Sequence, residues 1–171
     1  MENLNRQLLT NGFKFNDDLK IGTKKTLPEK IVQFGEGNFL RAFVDYMFDE
    51  INEQGLFEGG ITLIQPIPGG DFLRNVLNEQ EGLYTLIARG REDGKEVAAK
   101  RLITCVNRCI NPYVDLDTYN TCAKNPELRF VVSNTTEAGI SWKEEDMVTD
   151  QPQDSFPAKV CNFLYVRFKE F

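Results

Sequence analysis

"IVQFGEGNFLRAFVDYMFDE", residues 31–50, decides how the rest of the chain is read. The apolar-leaning segment Ile31–Phe34 runs into Gly35-Glu36-Gly37, and an amphipathic stretch begins at once. A short strand, a glycine turn and a helix in immediate succession open a dinucleotide-binding fold. In such a turn the first glycine permits a tight bend. The second lets the backbone approach a diphosphate, whose charge rests against the amides and the positive end of the helix. Gly35 and Gly37 meet both demands. The third glycine of G-x-G-x-x-G, which lets helix and strand pack closely, is replaced by Leu40, and Arg41 follows. A guanidinium one turn into the helix suits bidentate contact with a phosphate. The same bend also joins strands to helices in proteins that bind no nucleotide, with Asn38 as a plain cap and Arg41 as a solvated charge. On these residues alone both readings stand.

Outward from the turn, Phe39, Ala42, Phe43, Tyr46, Met47 and Ile51 recur at helical spacing from Asn38, and Gly55 is read as the stop of that helix. "ITLIQPI" (61–67) reads as a second strand closed by prolines. "LYTLIARG" and "VAAKRLITCV" flank Asp93-Gly94, a two-residue hairpin signal. The second arm of this ribbon is expected to continue as a strand of the main sheet. Residues 114–125 read as a short helix with an acidic first turn, 128–134 as a buried strand, and 157–170 as a last helix. On that helix Cys161, Leu164, Tyr165 and Phe168 lie on one side. Trp142 and the phenylalanines are read as core.

The alternation predicts an α/β fold: a Rossmann-like, mostly parallel sheet with an inserted antiparallel hairpin. Residues 1–30 form an N-terminal arm with a short helix, and 31–171 the domain. About four sheet strands are visible, where a complete doubly wound dinucleotide domain has about six. The last helix keeps an apolar face with no strand to cover. The chain is therefore expected to be the front part of a longer protein, with self-association through that helix as another way of covering it.

Composition narrows the function classes. The 171 residues carry a net charge of -6 and show no cluster of lysine and arginine, which argues against a nucleic-acid surface. No apolar run approaches the roughly 18 residues of a membrane span, and "MENLNRQLLTNG" lacks the regions of a secretory signal. The expectation is a cytoplasmic protein whose four cysteines, at 105, 109, 122 and 161, are reduced thiols without metal-binding spacing. There is no histidine, so the commonest general acid/base is missing.

Further candidates follow from the topology, because ligands of open α/β sheets bind beyond the carboxyl ends of the strands. Gln65 ends the second strand, where an acidic residue usually holds the ribose of NAD. Its amide serves without charge, and Asp71 lies just beyond. "SNTTEAG" (133–139) brings Asn134, Thr135 and Thr136 to the end of the fourth strand; a hydrogen-bonded turn capped by Asn134 is the alternative. Asn107 and Arg108 follow the third strand and are expected to face the same crevice. Arg74 leaves NADP open.

Phe39 and Arg41-Ala42 after Gly-x-Gly-x resemble the signature of the mannitol dehydrogenase family, the polyol-specific long-chain dehydrogenases. "QPI", "LNEQEGLYTLIARG", "RLITCVNRCINPY" and "VVSNTTEAGISW" extend the resemblance, in order, from about residue 30 to 171. The resemblance implies an NAD-dependent oxidation of a secondary alcohol on a polyol or, in the branch these blocks are most similar to, a sugar acid. It implies that Gly35, Gly37, Asn38, Phe39 and Arg41 line the pyrophosphate, with Gln65 near the adenosine ribose and Asn134, Thr135 and Thr136 toward the nicotinamide. In the family the catalytic lysine, followed by an asparagine and a histidine, belongs to a helical C-terminal domain that would also hold most of the substrate pocket. No K-x-x-x-x-N-x-x-H pattern occurs here. The expectation is a chain without catalytic residues that binds NAD weakly or not at all and turns nothing over. A nucleotide-binding or interaction module without chemistry is the competing class.

Overall fold

The computed structural model describes residues 3–69, 71–135, 137–149, 151 and 153–171. In chain order the elements are α1 (Gln7–Thr10), β1 (Leu19–Ile21), β2 (Glu29–Phe34), α2 (Asn38–Glu53), β3 (Gly60–Ile64) and α3 (Asp71–Glu79). There follow β4 (Tyr84–Glu92), β5 (Lys95–Ile103), β6 (Val106–Ile110), α4 (Leu116–Ala123), β7 (Phe130–Ser133), a 3-10 turn (Glu137–Ile140) and α5 (Phe156–Glu170).

Four strands in the order β6-β3-β2-β7 form a wholly parallel sheet. Parallel neighbours need crossovers, and crossovers cover both faces, so β2 is buried from Ile31 to Phe34 without alternation. Ile31, Ile61, Leu63 and Val106 point to the face covered by α2 and α3. Val32, Phe34, Ile64 and Ile110 point to the face covered by α4 and α5, where Tyr119 and Phe163 pack on them.

A second sheet, in the order β1-β5-β4, lies apart from the first. The expected hairpin is present: Glu92 pairs with Lys95 across Asp93 and Gly94, both at positive φ as a type I′ turn requires. Its second arm does not run on as a main-sheet strand. It ends at Ile103, and the main-sheet strand β6 begins at Val106. The interruption has a cause, because Asp49 takes the amide hydrogens of Thr104 and Cys105 at 2.8 and 3.0 Å, out of reach of any ladder. The arm supplies the third strand, β1, which pairs with β5 in parallel. Leu9 is buried against Leu83 and Leu102, and Arg6 Nη2 donates to the carbonyls of Thr104 and Val106 at the junction of the two sheets.

Of the six apolar residues at helical spacing on α2, Tyr46 packs against the core and Ile51 is half-buried. Phe39, Phe43 and Met47 are exposed, and the buried stripe is Leu40, Asp45, Asp49 and Asn52. Polar groups take the inner positions because each finds a partner there, which burial demands. Asp49 pairs with the buried Arg101 at 2.6 Å, Asn52 exchanges two hydrogen bonds with the Gly59 backbone, and Asp45 meets the Tyr84 hydroxyl. The C-terminus matches expectation: Gly55 N–H donates to Asn52 O and Leu56 N–H to Ile51 O, a Schellman cap.

The sequence reading assigns no element to 71–79, where α3 forms and ends in a second cap of this kind, Glu81 N–H donating to Asn78 O and Gly82 N–H to Leu77 O. Trp142 is 48% exposed and Phe72 and Phe168 far more so, against the expectation of core; Phe34 and Phe163 are buried. On α5 the buried residues are Ala158, Lys159, Asn162, Phe163 and Val166. Cys161, Leu164, Tyr165 and Phe168 face outward.

Candidate functional site

The turn between β2 and α2 is built so that its backbone is bare. Gly35 sits at φ +116, a conformation closed to most side chains, and its N–H donates to Ile64 O at 2.9 Å. Leu40, the residue in place of the third glycine, is buried, and its Cδ1 would lie 3.3 Å from a Cβ on Gly35. It therefore fills the space beneath the turn rather than pushing the helix away. Gly37 is the N-cap of α2 with no side-chain cap, and a Cβ there would meet nothing within 4 Å. The first amides of a 16-residue helix thus open onto free space, the arrangement that favours an anion.

Arg41 is turned back on this loop. Its Nε donates to Glu36 O at 2.9 Å and its Nη2 to Asn38 Oδ1, with the guanidinium 5.1 Å from the Tyr84 ring centre. It braces the turn and donates to Asn38, while Asn38 and Phe39 are exposed beside it. Glu36 extends inward, with Oε2 buried and unpartnered and its carboxyl pushed up by burial.

Beyond the carboxyl ends of β2, β3 and β7 lies a cavity of about 390 Å³. Phe34, Gly35, Pro66, Ile67, Asn134 and Thr135 form one side, and Gly139, Ser141, Lys143 and Asp154–Phe156 the other. The structure thus brings Gly35, Asn134 and Thr135 together. Gly37, Asn38, Phe39 and Arg41 stand on the adjoining start of α2 and do not line this cavity. Thr136 lies outside the described residues. Gln65 is fully buried; its Nε2 donates to the carbonyls of Ile67 and Gly69, shaping the loop, and its Oε1 is unpartnered. Asn107 and Arg108 point to the opposite end of the sheet: Asn107 donates to Leu27 O, and Arg108 forks onto Glu29 at 2.8 Å on both oxygens.

The far wall is a strap between the 3-10 turn and α5, which reaches the cavity through Ser141, Lys143, Asp154 and Ser155. Ser155 caps α5 by accepting from Ala158 N–H. Lys159 is almost wholly buried and donates to Asp154 O at 2.6 Å; burial lowers its amine to about 8. Tyr113 Oη donates to Gln153 O, and Asn162 Nδ2 to Gln151 O. The available signal was topological: the connection from β7 to α5 must leave from the carboxyl edge, where ligands bind.

Four parallel strands in this order, with a bare glycine turn at the central strand, define the Rossmann class of dinucleotide-binding domains. The chain belongs to the mannitol dehydrogenase family, whose Rossmann domain is matched by residues 29–171. It is 51% identical over 145 residues to the altronate oxidoreductase of Yersinia enterocolitica and 45% identical over 144 residues to that of Bacillus subtilis. In each comparison 84% of this chain is covered, and it spans 30% of the relative's length. Among solved structures, the mannitol 2-dehydrogenase of Pseudomonas fluorescens, in ternary complex with NAD and D-mannitol, superposes with a TM-score of 0.76 at 18% identity. That match covers 98% of this chain and 36% of that one. A substrate-free D-sorbitol dehydrogenase gives 0.69 at 20% identity, covering 83% and 29%. At such identities the superpositions establish the fold.

Proposed function

We propose that the chain is the cofactor-binding portion of an NAD-dependent oxidoreductase that interconverts altronate and tagaturonate in hexuronate catabolism in the cytoplasm. The observation that carries the reading is the cavity at the sheet's carboxyl edge, where Gly35 of the bare turn meets Asn134 and Thr135. Gly37, with open space above it, and the start of α2 at Asn38 and Phe39 receive the diphosphate; Arg41 keeps that turn in shape. Thr136 completes the nicotinamide end. The altronate oxidoreductases at 45–51% identity support the substrate class.

NAD rather than NADP is favoured by the end of β3. Arg74 is the nearest cation in sequence, but Asp71 lies 3.4 Å from it, and Asp71 also accepts from Asn111. A ribose hydroxyl finds an acceptor in Asp71, whereas a 2′-phosphate meets a carboxylate. Gln65 acts on the ribose indirectly, through the loop it holds.

Hydride transfer requires a group that takes the alcohol proton as the carbonyl forms. We assign that group, and most of the sugar-acid pocket, to a part of the enzyme outside this sequence, so this chain by itself is expected to bind cofactor weakly and to turn nothing over. Calorimetric titration of NADH and then NADPH tests the reading. Heat of binding for NADH alone supports it, and equal affinity for both removes the NAD assignment. The outward face of α5, with Leu164, Tyr165 and Phe168, is the surface through which copies of the chain would associate; an unchanged sedimentation coefficient in Leu164→Glu would rule that out.

A further inference from the structure

We propose that Lys143 is the cation that meets the diphosphate of the dinucleotide, with Asp154 as the internal anion that the ligand displaces. The proposal rests on the reading of the cavity as the cofactor site. Three observations lead to it. First, the cation that the sequence offers for this task is engaged elsewhere: Arg41 is committed to Glu36 O, Asn38 Oδ1 and the Tyr84 ring, and does not line the cavity. Second, among the described residues lining the cavity Lys143 is the one cation, facing it together with Gly35 of the bare turn. Third, its ammonium is paired with Asp154 Oδ2 at 3.1 Å, and both side chains are more than half exposed, at 55% and 68%.

An exposed pair of this kind is held only weakly, because water screens both charges. A diphosphate, with more charge and more acceptor oxygens, therefore takes the lysine from the aspartate at little cost. Hydrogen bonds hold the backbone beside both residues. Lys143 N–H donates to Asp146 Oδ2, and the carbonyls of Gln151, Gln153 and Asp154 are held by Asn162, Tyr113 and the buried Lys159. The cation is thus presented on a wall fixed to α5 and α4's leading loop, in the cavity that Gly35 of the bare turn also lines.

Trp142, adjacent to Lys143, is the only tryptophan of the chain, so energy transfer from it to NADH reports binding to the chain, and the variants assign the site. The titration uses the full 171-residue chain with Lys143→Gln and Asp154→Asn, each checked for folding by circular dichroism, and inorganic pyrophosphate and gluconate as competitors. Lys143→Gln is expected to weaken NADH about tenfold, the size of one lost charge-assisted contact, and to abolish competition by pyrophosphate. Asp154→Asn is expected to tighten NADH about threefold, because a competitor for the lysine is gone. Wild-type affinity in Lys143→Gln, or weaker binding in Asp154→Asn, overturns the assignment while leaving the cofactor reading intact. Competition by gluconate but not pyrophosphate also overturns it, in favour of a carboxylate. A folded wild-type chain that shows no NADH signal at millimolar concentration overturns the cofactor reading and this proposal together.

Discussion

The Tyr84 hydroxyl oxygen lies 2.9 Å from Asp45 Oδ2 and 2.8 Å from the carbonyl oxygen of Arg41. A phenol has one hydrogen, and with Asp45 ionised both neighbours only accept. A neutral Asp45 resolves the conflict: its own hydrogen goes to Tyr84, and Tyr84 donates to Arg41. Burial pushes the Asp45 carboxyl up to about 7, against the opposing pull of hydrogen bonds from Tyr84 and Gln33 and of the Arg41 charge. The same contact joins the hairpin strand β4 to the first turn of α2, beside the bare glycines.

Stability should follow the charge on Asp45. Its carboxyl has an ordinary value of 3.8 and a folded value of about 7. The folded chain thus holds the proton more tightly than the unfolded chain. The stabilisation this gives is complete below about pH 4 and is lost as pH rises through 7. Asp45→Asn removes the ionisation. Its stability relative to the wild type is expected to improve by about 2 kcal/mol between pH 5 and pH 8, read from urea denaturation at each pH. Parallel pH profiles for the two proteins would show that Asp45 stays ionised.

Asp49 is expected to matter to the fold through the partners it holds. It is fully buried; Oδ1 accepts from Thr104 N–H, Thr104 Oγ1 and Cys105 N–H, and Oδ2 pairs with Arg101. Asp49→Ala strips the buried Arg101 of its shortest partner and orphans two amides at the break between β5 and β6. The expected loss is about 3–5 kcal/mol, seen as a fall in urea midpoint. Gly22→Ala should be costly for the same reason, since its Cβ would come 2.4 Å from Asp49 Oδ2. A loss under about 1 kcal/mol in Asp49→Ala would mean that the cluster relaxes around the gap.

How far the sequence could be read depended on whether a residue's surroundings are local. Ile31–Phe34, Asp93-Gly94 and Gly55 announce strand, hairpin and helix end through their own chemistry, and the parallel sheet follows from their order. The inner face of α2 could not be read this way. Its apolar residues follow helical spacing as well as its polar ones do, and only the distant partners Tyr84 and Arg101, from the inserted hairpin, make aspartates the buried choice. The second sheet was hidden for a similar reason, since β1 has three residues and gains meaning only beside β5. At the site, the glycine turn and Asn134–Thr135 were legible because fixed topology puts them at one edge. Lys143 and Asp154 were not, because the buried Lys159 of α5 and the half-buried Tyr113 decide where the strap runs.

Two glycines should separate folding from binding. Gly82 lies at φ +77, and a Cβ there would sit 2.1 Å from Val106 O, against backbone that cannot give way. Gly82→Ala is therefore expected to destabilise the chain by several kcal/mol, through strain at the cap of α3 and a clash with β6. Gly37 has φ -69 and ψ 162, values open to any residue, and nothing lies within 4 Å of its added Cβ. Gly37→Val should keep the wild-type urea midpoint within about 0.5 kcal/mol. What a valine occupies is the space through which a diphosphate reaches the helix amides, so NADH binding should fall by at least about tenfold. Unchanged NADH affinity in a folded Gly37→Val protein would place the diphosphate elsewhere, because among the described residues nothing lies within 4 Å of the added Cβ.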